Sequence, residues 1–126
     1  MSLPTDAKAR KAVPLFCGLL KYFPDALCAV AEVSRIGNDQ HNPGQSLHWD
    51  RAKSTDEADC LVRHLLEAGT LDTDGARHSA KVAWRALAIL QKEIENDAAL
   101  LREIKAHPKV AGVMREMRQK SYGGTD

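Results

Sequence analysis

The chemistry open to this sequence starts with carboxylates and cations at helical spacing. Asp25 and Glu32 are seven residues apart, so on one helix they share nearly the same stripe. Asp56 and Asp59 are three apart on a second apolar-periodic segment, and Arg63 continues that stripe one turn later. If the two helices pack antiparallel, Glu32 faces the Asp56/Asp59 pair. Converging carboxylates suit Mg²⁺ or Mn²⁺, hard cations that prefer oxygen ligands and keep several waters. The plainer account is a solvated acidic first turn, because acids are favoured at helix N-termini. That account covers Asp56 and Glu57 well. It covers Asp59 less well, because Asp59 lies beyond the first turn and beside Ala58 and Leu61.

A third segment sets His78, Lys81 and Arg85 at i, i+3 and i+7, with Arg77 alongside. A cationic stripe at a helix start binds phosphate oxygens, or is ordinary surface charge paired with acidic neighbours. His64 and His78 are metal-ligand types, but none of the five histidines forms an H-x-x-x-H pair, so spacing gives zinc no support. There is no Gly-rich phosphate loop, no G-x-S-x-G and no C-x-x-C. Trp49 either stacks on a base or anchors its loop by burial. An acidic cluster, a basic stripe and a Trp-bearing loop are together what metal-assisted attack on a polyphosphate requires.

The elements that must hold these groups are helical. Residues 1–11 and 121–126 read as flexible, and 11–22 as a stub helix or an irregular apolar piece. Pro24 opens a helix that Gly37 is expected to stop. Residues 38–53 form an irregular stretch around the turn signal Asn42-Pro43-Gly44, long enough to suggest a functional loop. Ser54 and Glu57 have the S-x-x-E form of a capping box, which predicts a helix from there to Gly69. An Asp-rich turn over 70–75 precedes a long helix over 76–106, which Pro108 breaks before a last amphipathic helix over 109–120. No strand pattern competes. The expected fold is all-α, a bundle of about four helices in one domain spanning 1–126.

Composition is consistent with this. At 126 residues the chain can bury roughly two-thirds of its unfolded surface, enough to fold without disulfides or a structural metal. Eighteen Lys+Arg against 17 Asp+Glu give a formal charge of +1, which argues against a nucleic acid polymer or an anionic membrane as partner. Only 5% of residues are aromatic, which favours helix over strand. The uncharged run Ala12 to Leu20 is half of what a bilayer needs, and Pro14, Gly18, Lys21 and Asp25 spoil it as a signal peptide. Cys17, Cys28 and Cys60 are odd in number and lack metal spacing, which fits the cytoplasm and small buried thiols.

Over residues 11–93 the sequence also resembles a known family. The specific pieces are Glu32 with Gly37, the loop His41-Asn42-Pro43-Gly44 with His48-Trp49, Asp59 with Arg63-His64, and His78 with Trp84. In that order they are similar to the phage dATP/dGTP diphosphohydrolases, MazG-like proteins that include the MazZ type. The resemblance implies an all-α pyrophosphohydrolase that cleaves a purine (d)NTP, dGTP or GTP in the MazZ type, to (d)NMP and pyrophosphate. In those phages the dGMP feeds 2-aminoadenine nucleotide synthesis. It implies Mg²⁺ or Mn²⁺ on paired E-x-x-E and E-x-x-D motifs, with Glu32 standing for the first and Asp56 and Asp59 for the second. Arg35 stands where another carboxylate is expected, so Asp39 or a water takes that place or the metal count differs.

On this reading Glu32 and Asp59 are catalytic, and Lys81, Arg63, Arg85 and His78 hold phosphate. Trp49, Asn38 and His64 border the nucleoside. The family also forms dimers or tetramers whose sites draw on more than one chain, so a homo-oligomer is expected. The rival readings are a helical interaction module without activity, and a phosphohydrolase releasing other products.

Overall fold

The structure is a computed structural model that describes residues 3–122. The described residues form five α-helices and one π-helical turn: α1 (Ala7–Lys11), the π turn (Phe16–Leu20), α2 (Pro24–His41), α3 (Glu57–Leu66), α4 (His78–Ala106) and α5 (Pro108–Tyr122). The chain is all-α, as its composition and periodicity predict. Two compact units divide it, one reaching Leu90 and one beginning at Gln91. The second unit holds the end of α4 and all of α5. Part of the tail expected to be flexible, Gly123 to Asp126, lies outside the described residues.

Local sequence explains most helix ends. Asp6 caps α1 by accepting from the Ala9 N–H at 2.9 Å, so a short helix forms in the expected loose arm. Within the π turn, Gly18 packs close under Pro14, where a Cβ would come within 3.1 Å of the ring. Pro24 sits in the first turn of α2, where a missing N–H costs nothing.

Two boundaries differ from expectation. α2 runs through Gly37 to His41 and ends at the Asn42–Gly44 turn, where Gly44 takes φ +78°. The extension carries Asn38 into a buried position, and its Nδ2–H donates to the Gln45 carbonyl at 3.0 Å. Tertiary contact thus outweighs the low helix propensity of glycine. A Cβ on Gly37 would meet nothing within 4 Å. Gly37→Ala is therefore expected to raise stability by about 0.5–1 kcal/mol in urea unfolding, and a loss would argue against a continuous α2.

The second difference is the start of α3, at Glu57 rather than at Ser54. Asp56, not Ser54, stands at the N-cap position, and Arg85 of α4 reaches both ends of the expected box. Its Nη1 donates to Ser54 Oγ at 2.8 Å and lies 3.6 Å from Glu57 Oε1.

The buried set of the first unit is small. Val30, Ala76, Ala80 and Ala88 are its apolar members, and Asn38, Glu57 and His78 are as buried as they are. Where three of the most buried side chains are polar, the centre of the unit is a site as much as a core. Cys17 and Cys28 are exposed and Cys60 is half-buried, so the expectation of buried thiols fails. Cys28 lies roughly 200° around the helix from buried Val30, and therefore on the opposite face.

Candidate active site

α2, α3, the first turns of α4 and the loop 42–56 enclose one cleft of about 840 Å³. Asn38 lies on its α2 side, and Trp49 comes in from the loop. His64 borders it from α3, and Lys81, Trp84 and Arg85 from α4. The cleft thus gathers Asn38, Trp49, His64, Lys81 and Arg85 from four separate stretches of chain, together with Lys53 from the loop.

Each wall is tied in place. Trp84 Nε1–H donates to Ser34 Oγ at 2.7 Å, pinning α4 to α2. Ser34→Ala is expected to cost about 1 kcal/mol, the net worth of such a bond, as read by thermal unfolding. Trp49 meets Trp84 edge-on at 5.6 Å between centroids, and the Arg51 guanidinium lies 4.1 Å over the Trp49 ring. Of the two sequence readings of Trp49, this contact is that of a loop anchor, and it shapes the cleft by fixing the loop on α4.

Lys81 is held harder than a surface lysine. Its Nζ donates to Asp72 Oδ2 and Asp74 Oδ2, both at 2.6 Å, from the turn before α4. The ammonium holds the Asp72 carboxyl down at about 2 and also lowers Asp74. Burial works against the charge on Lys81, but its two carboxylates outweigh that and raise its pKa. The Asp-x-Asp pair fixes a cation at the cleft, a feature that periodicity read only as a turn. Its sequence signal is the closeness of two acids to the first turn of a cation-bearing helix.

His64 and His78 also converge. Their Nδ1 atoms stand 2.8 Å apart. Burial, then the nearby Lys81 and His78, lowers the pKa of His64, so it is neutral at pH 7. Among the described residues, His64, Asp72 and His78 are the group of ligand-type side chains whose donor atoms come within 4.8 Å of one another.

The carboxylates expected to hold Mg²⁺ or Mn²⁺ lie elsewhere. Glu32 is exposed on α2, and Arg35 bridges it to Asp39 at 3.1 and 3.0 Å. This pair lines a separate shallow depression with Asp74. Asp56 precedes α3 and accepts from Arg63 at 3.2 Å, which lowers its pKa, and Asp59 is exposed on the same helix. Arg63 is thus engaged with Asp56 and Cys60 and does not line the cleft. Arg35 lies between Glu32 and Asp39, and Arg63 holds Asp56 beside Cys60, so in this arrangement each of these carboxylates faces an arginine or solvent.

The fold and site together define an all-α domain with a ligand-sized cleft carrying both signs of charge. Residues 4–102 match the family of dATP/dGTP diphosphohydrolases, N-terminal, and the chain belongs to that family. It is accordingly a nucleotide hydrolase of the diphosphohydrolase kind. No curated protein and no solved structure matches the chain. Among the described residues no single helix is long and apolar enough to cross a membrane.

Proposed function

We propose that this protein hydrolyses a purine nucleoside triphosphate, dGTP or GTP, between the α- and β-phosphates to give (d)NMP and pyrophosphate. The observation that carries this reading is the cleft itself, which joins a buried open acceptor on Asn38 to three cations. Its volume is in the range that encloses a ligand of nucleotide size. Asn38, Trp49 and His64 border the base and sugar. Lys53, Lys81 and Arg85 face the phosphates, where Lys81 still has one of its three N–H donors to offer. In a phage that replaces adenine with 2-aminoadenine, the dGMP would supply that synthesis.

Mg²⁺ or Mn²⁺ belongs to the proposal as the ion that accompanies the polyphosphate. Its proposed holders remain Glu32, Asp56 and Asp59, which need a second chain or the release of Arg35 and Arg63 to converge. A homo-oligomer is supported by exposed apolar faces. Val62, Leu65 and Leu66 on α3 are 52%, 53% and 82% exposed, and Leu87 and Leu90 on α4 about half. Exposed apolar residues on two helices support an interface with a second copy. Leu66→Glu is expected to shift the protein to a smaller species in sedimentation equilibrium.

The deciding experiment incubates the protein with each (d)NTP and Mg²⁺ or Mn²⁺ and identifies the products. Monophosphate and pyrophosphate are expected, with loss of turnover in chelator. Nucleoside plus triphosphate would overturn the reaction, and undiminished turnover in Glu32→Gln would remove Glu32 from the metal set.

A further inference from the structure

His64, Asp72 and His78 form a constellation of which the nucleotide reading uses only His64, at the border of the cleft. His64 is in the last turn of α3, His78 is the first residue of α4, and Asp72 lies in the turn between them. Their donor atoms all lie within 4.8 Å of one another. The rings of the two histidines are tilted at 35°, with centroids 5.1 Å apart and the Nδ1 atoms facing each other. His78 is 5% exposed, and its far nitrogen Nε2 stands 3.5 Å from the Glu67 carboxylate. A carboxylate on that side favours the tautomer with its proton at Nε2, which turns the Nδ1 lone pair toward His64. Ligating histidines in metal sites are oriented in this manner.

We propose that His64, Asp72 and His78 bind one first-row transition dication, such as Mn²⁺, Fe²⁺, Co²⁺ or Zn²⁺, through two imidazole nitrogens and one carboxylate oxygen. Two imidazoles and a carboxylate suit these ions, whereas Mg²⁺ favours oxygen and water. Without metal, His64 donates its Nδ1–H to His78. Binding shifts that proton to His64 Nε2 by exchange with solvent, so His64 stays neutral and neither Nδ1 carries hydrogen toward the ion. Metal–nitrogen bonds near 2.05 Å set tetrahedral nitrogens about 3.3 Å apart, so the facing atoms separate by about half an ångström. His64 is half-buried and has room for that movement. Asp72 accepts from Lys81 and twice from Thr73, which leaves one of its roughly four acceptor positions for the ion. Lys81 lies near the ion, but Asp72 and Asp74 together more than offset its charge.

The proposal concerns the chain without nucleotide, so it stands or falls separately from the hydrolase reading. Metal-stripped, untagged protein is titrated with Co²⁺, Mn²⁺, Zn²⁺ and Mg²⁺ by calorimetry, and Co²⁺ is followed by its visible absorption. One Co²⁺ per chain is expected, with affinity for Co²⁺ and Zn²⁺ at least ~100-fold above Mg²⁺. Glu67→Gln, on an exposed side chain, is expected to weaken Co²⁺ binding about 10-fold, an effect a purely structural histidine pair would not produce. His64→Gln and His78→Gln should abolish the absorption while circular dichroism stays helical. If buried His78→Gln does not fold, His64→Gln decides. No saturable Co²⁺ binding, equal affinity for Mg²⁺, or unchanged binding in folded His64→Gln would each overturn the site.

Discussion

Replacing Lys81 with methionine is expected to lower stability by about 3 kcal/mol and to remove hydrolytic activity. The ammonium lies 2.6 Å from an oxygen of Asp72 and of Asp74, and all three side chains are at most 24% exposed. Taking one partner from a mostly buried pair leaves charge without compensation, which typically costs 3–5 kcal/mol when burial is complete. Partial exposure puts this case at the lower end. The two carboxylates then repel each other across the vacated position, and the turn that delivers His78 and α4 loosens with them.

The pH dependence follows from the same contact. Asp72 titrates at about 2 in the folded chain against 3.8 for an unperturbed carboxyl. The folded state therefore binds fewer protons than the unfolded state between those values. Stability from Asp72 is fully present above pH ~4 and is lost as the pH falls through 3.8 toward 2. In Lys81→Met that acid sensitivity should flatten, because the cation holding the carboxyl down is gone. Urea midpoints at pH 7, 5 and 3 measure both effects. A variant as stable as the parent at pH 7 would show that Lys81 is not what neutralises the pair. Adding Asp74→Asn should restore part of the loss.

Asn38→Leu is expected to do the opposite, lowering kcat/KM on purine nucleotides about 100-fold while hardly changing stability. Asn38 is 7% exposed. Its amide N–H₂ is committed to the Gln45 carbonyl at 3.0 Å, which fixes the orientation and leaves Oδ1 as a pure acceptor. That oxygen is buried without a partner. A buried unsatisfied acceptor costs about 1–3 kcal/mol, a cost that makes sense where a ligand later donates to it. Purine edges carry such donors, adenine at its amino group and guanine at N1–H and its amino group. Leucine removes the ligand contact and loses the bond to Gln45, but it also removes the native-state penalty and keeps the position apolar and buried. Function therefore falls while the stability terms roughly offset. A site built to hydrogen-bond its substrate discriminates strongly against analogues lacking the group. The same kcat/KM in Asn38→Leu for every nucleotide would detach Asn38 from recognition.

These two residues show how far the sequence could be read. Lys81 was legible as a cation at a helix start, because helical periodicity puts it on a stripe with His78 and Arg85. That Asp72 and Asp74 would grip it was not, since an Asp-rich segment reads equally as a solvated turn. Asn38 lay in a stretch expected to be loop, because Gly37 looked like a helix stop. Continuation of α2 is decided by the bond to Gln45 and by burial, neither of which a local propensity contains. The S-x-x-E signal at Ser54 went wrong for a related reason, because Arg85, distant in sequence, competes for the same hydroxyl and carboxylate.

The sequence by itself determined the all-α class, the order of the main helices and the family, because these rest on periodicity, propensity and spaced motifs that act along the chain. Only the tertiary structure decided which charged groups meet. Glu32 and Asp56 each lie on an acidic stripe of their own segment, yet each is engaged by an arginine of its own neighbourhood. His64 and His78, which lack any ligand spacing in the sequence, are brought to 2.8 Å by the turn between α3 and α4. Convergence of side chains depends on how helices cross and where turns place their ends, and periodicity within one helix carries no information about either.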